Sequence, residues 1–326
     1  MKAIVSVVIG FVATYLLGKV VIPWLRRMKA GQSIKEDGPT WHMSKQGTPT
    51  MGGLMFIAGS LIALVVCGFT DFLQGDFGGL FVYLFALVFG AIGFVDDFCK
   101  VKYHKNEGLT APQKFLLQLA AAIAFVVLLR YTGYLTPDLY IPFANISFTI
   151  PWPVYMVFAA FVMVGTVNAV NITDGVDGLA TGVTMPVALF FLVVSLLWGK
   201  VELGVFSGAL LGGLAGFLVY NFHPAKVFMG DTGSLFLGGA VCGLAFSLDM
   251  PLILILVGII YICETMSDII QVTYFKATHG KRIFRMAPLH HHFEMGGWSE
   301  EKLFTVFSGV TLLACVLAFL GVMFRY

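Results

Sequence analysis

The sequence predicts an all-α integral membrane protein of about ten transmembrane helices, with both termini outside and a short outer β-hairpin. Three observations carry that expectation. Of 326 residues, 58% are apolar and only 12% are charged, whereas soluble globular domains average about 25% charged residues. Apolar runs close to the ~20 residues that a helix needs to cross a bilayer recur along the chain. Basic residues gather in alternate loops. So few charges cannot wet the surface of so long a chain, and lipid must be the solvent for much of it.

The runs cover roughly 3–25, 51–69, 78–95, 113–131, 153–171, 179–198, 203–221, 234–249, 251–275 and 303–324. The first starts behind Lys2 and continues to Pro23 with no small-residue cleavage site, so it reads as a retained span and not as a signal peptide. The loop after it holds Arg26, Arg27, Lys29, Lys35 and Lys45. The loop after the third holds Lys100, Lys102, Lys105 and Lys114, and the loop after the ninth Lys276, Lys281, Arg282, Arg285 and Lys302. The opposite loops carry acids such as Asp71, Asp76, Asp138 and Asp249, with Lys200 as an exception. The positive-inside rule makes the first set cytoplasmic. All seven histidines fall on that inner side.

On the outer side, Leu139–Phe143 and Ile146–Ile150 flank Ala144-Asn145, the pattern of a short hairpin. Gly208, Gly212 and Gly216 form a small-xxx-small stripe that serves either packing within the bundle or a subunit contact. Cys67, Cys99, Cys242, Cys263 and Cys315 are scattered, lie mostly in apolar runs and lack metal-ligand spacing, so they read as reduced thiols. No basic run with interleaved aromatics points to nucleic acid. Residues 1–326 read as a single polytopic domain.

The inner loops hold the chemistry. The third span ends on Asp96-Asp97, with Lys100 one helical turn on. An ionised Asp at a span centre costs about 2.5–3.5 kcal/mol, so such a pair at a span end calls for water, a metal or a cation. After the fifth span comes Asn168-Ala-Val-Asn171-Ile-Thr-Asp174-Gly-Val-Asp177-Gly-Leu179. After the seventh comes Asn221-Phe-His-Pro-Ala-Lys-Val-Phe228-Met-Gly-Asp231-Thr-Gly-Ser234. Carboxylates from three separate loops, with no Cys and no required His, suit Mg²⁺ bridging protein and substrate phosphates. Phosphoryl transfer needs positioning and charge neutralisation more than covalent chemistry. The loop after the ninth span adds His290-His291-His292-Phe293-Glu294. Three consecutive side chains of a helix cannot point at one ion, so phosphate contact is the functional alternative to an ordinary polar loop. Glu264, Asp268 and Gln271 share one face of the ninth span, as a structural network or as substrate contacts.

Taken together and in this order, these motifs resemble the polyprenyl-phosphate N-acetylhexosamine-1-phosphate transferase superfamily. Within it, Pro288–Glu294 and Thr48-Pro-Thr-Met-Gly-Gly53 are most similar to the phospho-N-acetylmuramoyl-pentapeptide-transferase family. The resemblance covers about Lys45 to Trp298 and the layout of the spans. It implies Mg²⁺-dependent transfer of phospho-MurNAc-pentapeptide from its UDP carrier to undecaprenyl phosphate, giving lipid I and UMP. It also implies a homodimer in the bacterial plasma membrane with its site on the cytoplasmic face.

By the same resemblance Asp231 is the Mg²⁺ ligand, Asp96 a base or an orienting group for the lipid phosphate, and Asp97 its essential neighbour. Phe228 corresponds to a ring that stacks on uracil and Asp177 to a hydrogen-bond partner of that base. Lys45, Asn171, Asp174 and Asn221 correspond to contacts around nucleotide and sugar. Gln271, His290, His291 and His292 correspond to contacts to phosphate and sugar. A related transferase using UDP-GlcNAc is the enzyme alternative, against which the His-His-His-Phe-Glu string speaks. A secondary transporter would place its acids near the bilayer midplane, not at inner span ends.

Overall fold

The computed structural model describes residues 1–28, 45, 47–103 and 108–325. The expected Lys29, Lys35, Lys105, His42 and His104 lie outside the described residues. The ten apolar runs all fall on helices: α1 (Lys2–Arg27), α2 (Gly53–Leu73), α3 (Gly78–Tyr103), α4 (Ala111–Tyr131), α5 (Trp152–Thr173), α6 (Leu179–Leu197), α7 (Val201–Asn221), α8 (Gly230–Ser247), the pair α9 (Leu254–Val257) and α10 (Ile259–Ala277), and α12 (Glu300–Val322). A short α11 (Leu289–Glu294) carries the three histidines.

Among the described residues, eight helices are long and apolar enough to cross a bilayer. A ninth span arises if Pro251–Val257 and Ile259–Ala277 count as one, bent by 80°. The break falls at Gly258, a residue type that tolerates kinks. The remaining run, α8, is glycine-rich and buried over almost its whole length. The chain is therefore a multi-pass membrane protein whose outermost helices turn apolar side chains outward, as Val8, Leu16 and Val20 do on α1.

Gly208, Gly212 and Gly216 lie against α1, where an added Cβ would stand 2.3 Å from Ala3 O, 2.0 Å from Val7 O and 2.6 Å from Phe11 O. Any side chain there would force the helices apart. The stripe thus serves packing within the bundle. The hairpin is present as β1 (Asp138–Ile141) and β2 (Ile146–Thr149), antiparallel with Leu139 opposite Phe148. It docks on the end of α12, where Phe143 N–H donates to Gly321 O at 2.8 Å. All five cysteines are free.

Candidate active site

The site begins with a close helix approach. A Cβ added at Gly93 of α3 would sit 2.1 Å from Asp231 O, so only glycine lets α3 press this tightly on the start of α8. One turn further, Asp96 and Asp97 meet Asp231, with carboxylate oxygens of all three within 4.8 Å of one another.

The two neighbouring aspartates do different work. Asp97 Oδ2 accepts from Thr232 N–H at 2.8 Å and from Thr232 Oγ1 at 2.7 Å, while Oδ1 accepts from Asp231 N–H at 3.2 Å. The residue before α8, Met229, offers no side-chain cap. A helix N-terminus leaves orphan N–H groups and a partial positive charge. Asp97 supplies both the acceptors and the counter-charge, from another helix. Asp96 instead accepts Leu109 N–H at 2.7 Å on Oδ1 and meets Lys100 Nζ at 2.6 Å on Oδ2.

Lysines and an amide surround Asp231. Lys100 Nζ lies 3.0 Å and Lys114 Nζ 2.7 Å from its Oδ2, and Asn171 Nδ2 donates to its Oδ1 at 2.8 Å. Lys114 is placed by the start of α4, where Thr110 and Gln113 cap each other in a capping box. Asn171 also donates to Ser234 Oγ at 2.8 Å, which ties the end of α5 to α8. The donor set is all carboxylate oxygen, which suits a hard divalent ion such as Mg²⁺. Three carboxylates face only two ammonium groups, so added positive charge fits.

A second group forms where four segments converge. Lys45 Nζ lies 2.7 Å from Asp177 Oδ1 and 2.6 Å from Glu300 Oε2. Asp177 Oδ2 meets His223 Nδ1 at 2.9 Å and accepts Ala225 N–H at 3.0 Å. Glu300 Oε2 also accepts Asp177 N–H at 3.0 Å. Burial pushes the Asp177 pKa up, but Lys45, the Ala225 N–H and His223 outweigh it and hold the carboxyl below its ordinary value. Asp174, between the two groups, goes the other way. Burial and the neighbouring charges of Asp231, Asp97 and Asp177 raise its pKa well above the ordinary carboxylate value.

The three histidines turn to three different partners. His290 is buried, donates its N–H toward Glu264 and places Nδ1 2.9 Å from Glu264 Oε2. Its Nε2 is buried beside Gly175, where an added Cβ would stand 2.3 Å away. His291 Nδ1 lies 2.6 Å from Glu294 Oε2, and His292 Nδ1 accepts Arg285 N–H at 3.1 Å. Gln271 accepts Ile283 and Phe284 N–H on its Oε1 and donates to Phe284 O, so its amide pins that loop. Asn221 is likewise engaged inside the fold, accepting from Thr181 Oγ1 at 2.8 Å and donating to Val227 O at 3.0 Å.

Phe228 is half-buried and held by its backbone, donating to Pro49 O at 2.8 Å and accepting Gly52 N–H at 2.8 Å. Residues 45–57, which include that bracket, match signature 1 of phospho-N-acetylmuramoyl-pentapeptide-transferase. Residues 79–249 match the family model of glycosyl transferase family 4. A protein of that first name from Clostridium acetobutylicum is 50% identical over 320 residues, covering 98% of each chain. One from Clostridium botulinum is 48% identical, covering 97% of this chain and 95% of the relative. One from Listeria monocytogenes is 42% identical over 97% of each. The chain belongs to the phospho-N-acetylmuramoyl-pentapeptide-transferase family.

Four further residues complete these contacts: Lys114, His223, Glu264 and Glu300. His223 lies within the Asn221–Ser234 string and Glu264 on the polar face of the ninth span, whereas Lys114 and Glu300 stand at helix starts. For Lys114 a signal existed: Thr110-Ala-Pro-Gln113 spells a helix start and puts the lysine in the first turn. For Glu300 the Ser299 cap of α12 gave the element but not its partner. Glu264 is polar within a span, and its partner His290 emerges only from the fold.

Proposed function

We propose that this transferase moves phospho-MurNAc-pentapeptide from its UDP carrier to undecaprenyl phosphate, with Mg²⁺, at the cytoplasmic face of a bacterial plasma membrane. The observation that carries this reading is the meeting of Asp96, Asp97 and Asp231 with Lys100 and Lys114 where the end of α3 meets the starts of α4 and α8. Chemically, a lipid-phosphate oxygen attacks the sugar-linked phosphorus of the UDP-sugar. The new P–O bond forms as the bond to UMP breaks.

Asp231 is the first residue that would hold Mg²⁺, with Asp96 beside it. The bound ion would neutralise phosphate charge as it develops. Lys100 and Lys114 lie where they can bind phosphate oxygens. Asp96 holds Lys100 in place and orients the incoming lipid phosphate, which needs no base if it arrives ionised. Phe228 and Asp177 receive the uracil, and Lys45, Asn171 and Asp174 surround nucleotide and sugar, while Asn221 braces the segment before Phe228 from inside the fold. His290, His291, His292 and Gln271 organise the wall that faces phosphate and sugar.

An apolar groove of about 650 Å³ between α4 and α5 supports a lipid substrate. Leu119, Ile123, Met156 and Phe161 line it, and it ends at Asn168, one turn before the Asn171 that holds Asp231. A polyprenyl tail there would lie in the bilayer with its phosphate at the carboxylates. The reading includes a homodimer, for which the mass of the detergent-purified protein is the check.

The deciding experiment incubates the purified protein with undecaprenyl phosphate, Mg²⁺ and either UDP-MurNAc-pentapeptide or UDP-GlcNAc, and measures UMP and lipid-linked product. Product from the first donor and none from the second is expected. Product from UDP-GlcNAc alone would replace this reading with its enzyme alternative.

A further inference from the structure

Both carboxylate oxygens of Asp177 are already used by the chain: Oδ1 by Lys45, Oδ2 by His223 and Ala225 N–H. Asp177 is buried and Lys45 stands over Oδ1, so a ligand donor that reaches this oxygen must share it with that ammonium or displace it. The Ala225 N–H is backbone and fixed. Lys45 is a single ammonium on a flexible stem, and it already touches a second carboxylate, Glu300, at 2.6 Å.

We propose that Glu300 is a positioning residue for nucleotide binding: it retains Lys45 when Asp177 turns an oxygen to the incoming ligand. The inference rests on the reading in which Asp177 receives a uridine nucleotide. In the exchange, a ligand N–H replaces the Lys45 ammonium on Asp177 Oδ1. Asp177 stays hydrogen-bonded and Lys45 stays paired. A partly buried ammonium stripped of its last counter-charge is strongly disfavoured, so without Glu300 Lys45 would stay on Asp177 and compete with the ligand. Glu300 is suited to the task on two further counts. Its Oε2 accepts Asp177 N–H, which fixes the turn carrying that carboxylate. It sits in the first turn of α12, fixed by the Ser299 cap, and does not swing on a loop.

The test uses the full-length protein in lipid nanodiscs with Mg²⁺, titrated calorimetrically with UMP and with CMP, which lacks the imide N–H. Glu300→Gln is expected to weaken UMP about thirtyfold, the lower end of the range for removing one member of a buried charged pair, and to narrow the preference over CMP. It should raise KM for the UDP-sugar while kcat and the melting temperature change little. In a Lys45→Met background there is no lysine to retain, and Glu300→Gln should cause no further loss. Unchanged UMP affinity in Glu300→Gln, or an equal loss with and without Lys45, would overturn the proposal. Asp177→Asn separates the two levels. If it weakens UMP while Glu300→Gln does not, the retention role alone fails; if it has no effect, the nucleotide reading of Asp177 fails and takes the proposal with it.

Discussion

The two acidic groups of this transferase use similar residues to opposite ends. The group of Asp96, Asp97 and Asp231 stands on the ends of α3 and α8, with three carboxylates against the ammonium groups of Lys100 and Lys114. Its geometry is fixed by helix packing at Gly93 and by the cap that Asp97 gives α8. The group of Asp177, His223 and Glu300 is assembled from connecting segments and the start of α12, and Lys45 lies between its two carboxylates. Each group holds one more carboxylate than it has lysines, but the first is fixed rigidly on helix ends, which is why we read it as the place for a cation and phosphates. The other carries its own cation and can hand it from one carboxylate to the other. Carboxylates alone do not define a metal site; what already occupies the space between them does.

Four changes would break or sharpen that contrast. The largest effect is expected for Asp231→Asn, which removes charge from the rigid group. UMP release should fall by roughly 10³-fold or more while the protein still assembles, and Mn²⁺ bound to the purified protein, read by electron paramagnetic resonance, should weaken in parallel. Full activity, or full activity with all divalent ions chelated, would take Asp231 and the metal out of the mechanism.

Asp97→Ala should act through α8. Loss of the cap should lower stability by about 1 kcal/mol, and the resulting misplacement of Asp231 should reduce turnover by roughly 10²-fold. An unchanged melting temperature with lost activity would assign Asp97 a direct chemical role. Gly93→Ala tests the same rigidity from the packing side. Its Cβ must displace the Asp231 backbone, so a loss of about 1–3 kcal/mol in stability is expected, with weakened Mn²⁺ binding and UMP affinity left near normal.

The smallest effect concerns Asp174, which lies between the groups and feels both. Its raised pKa means that the folded chain holds the proton to higher pH than the unfolded chain does. The ionised form therefore costs stability above that raised value, and the cost disappears once both states are protonated, below about pH 4. Asp174→Asn should raise the melting temperature of the metal-free protein by a few degrees at neutral pH, with the gain shrinking toward pH 4. A gain independent of pH would show that its charge is not the cause.

Much of the site was legible because its chemistry is written in short strings. Asp96-Asp97, Asn171–Gly178 and Phe228–Ser234 each place carboxylates at a span end, the last two beside glycine, and polar groups are costly enough in lipid to stand out there. The division of labour between Asp96 and Asp97 was not legible, because Asp97 differs from its neighbour only in facing the start of α8. Asn221 and Gln271 look like any polar residues in a motif, yet their amides bind the chain's own backbone and threonine. Glu300 reads locally only as an acid in the first turn of α12, since its partners are Lys45 and Asp177, far away in the chain.

The sequence by itself determined the solvent and the apolar runs, because hydrocarbon thickness and the cost of buried charge act on any chain in the same way. It also determined the hairpin, whose two halves are adjacent in the chain. Tertiary structure alone decided which carboxylates meet which lysines and which of them caps a helix. That outcome depends on contacts between helices far apart in sequence, where a glycine that permits 2.1 Å of approach counts for as much as the acid it brings into place.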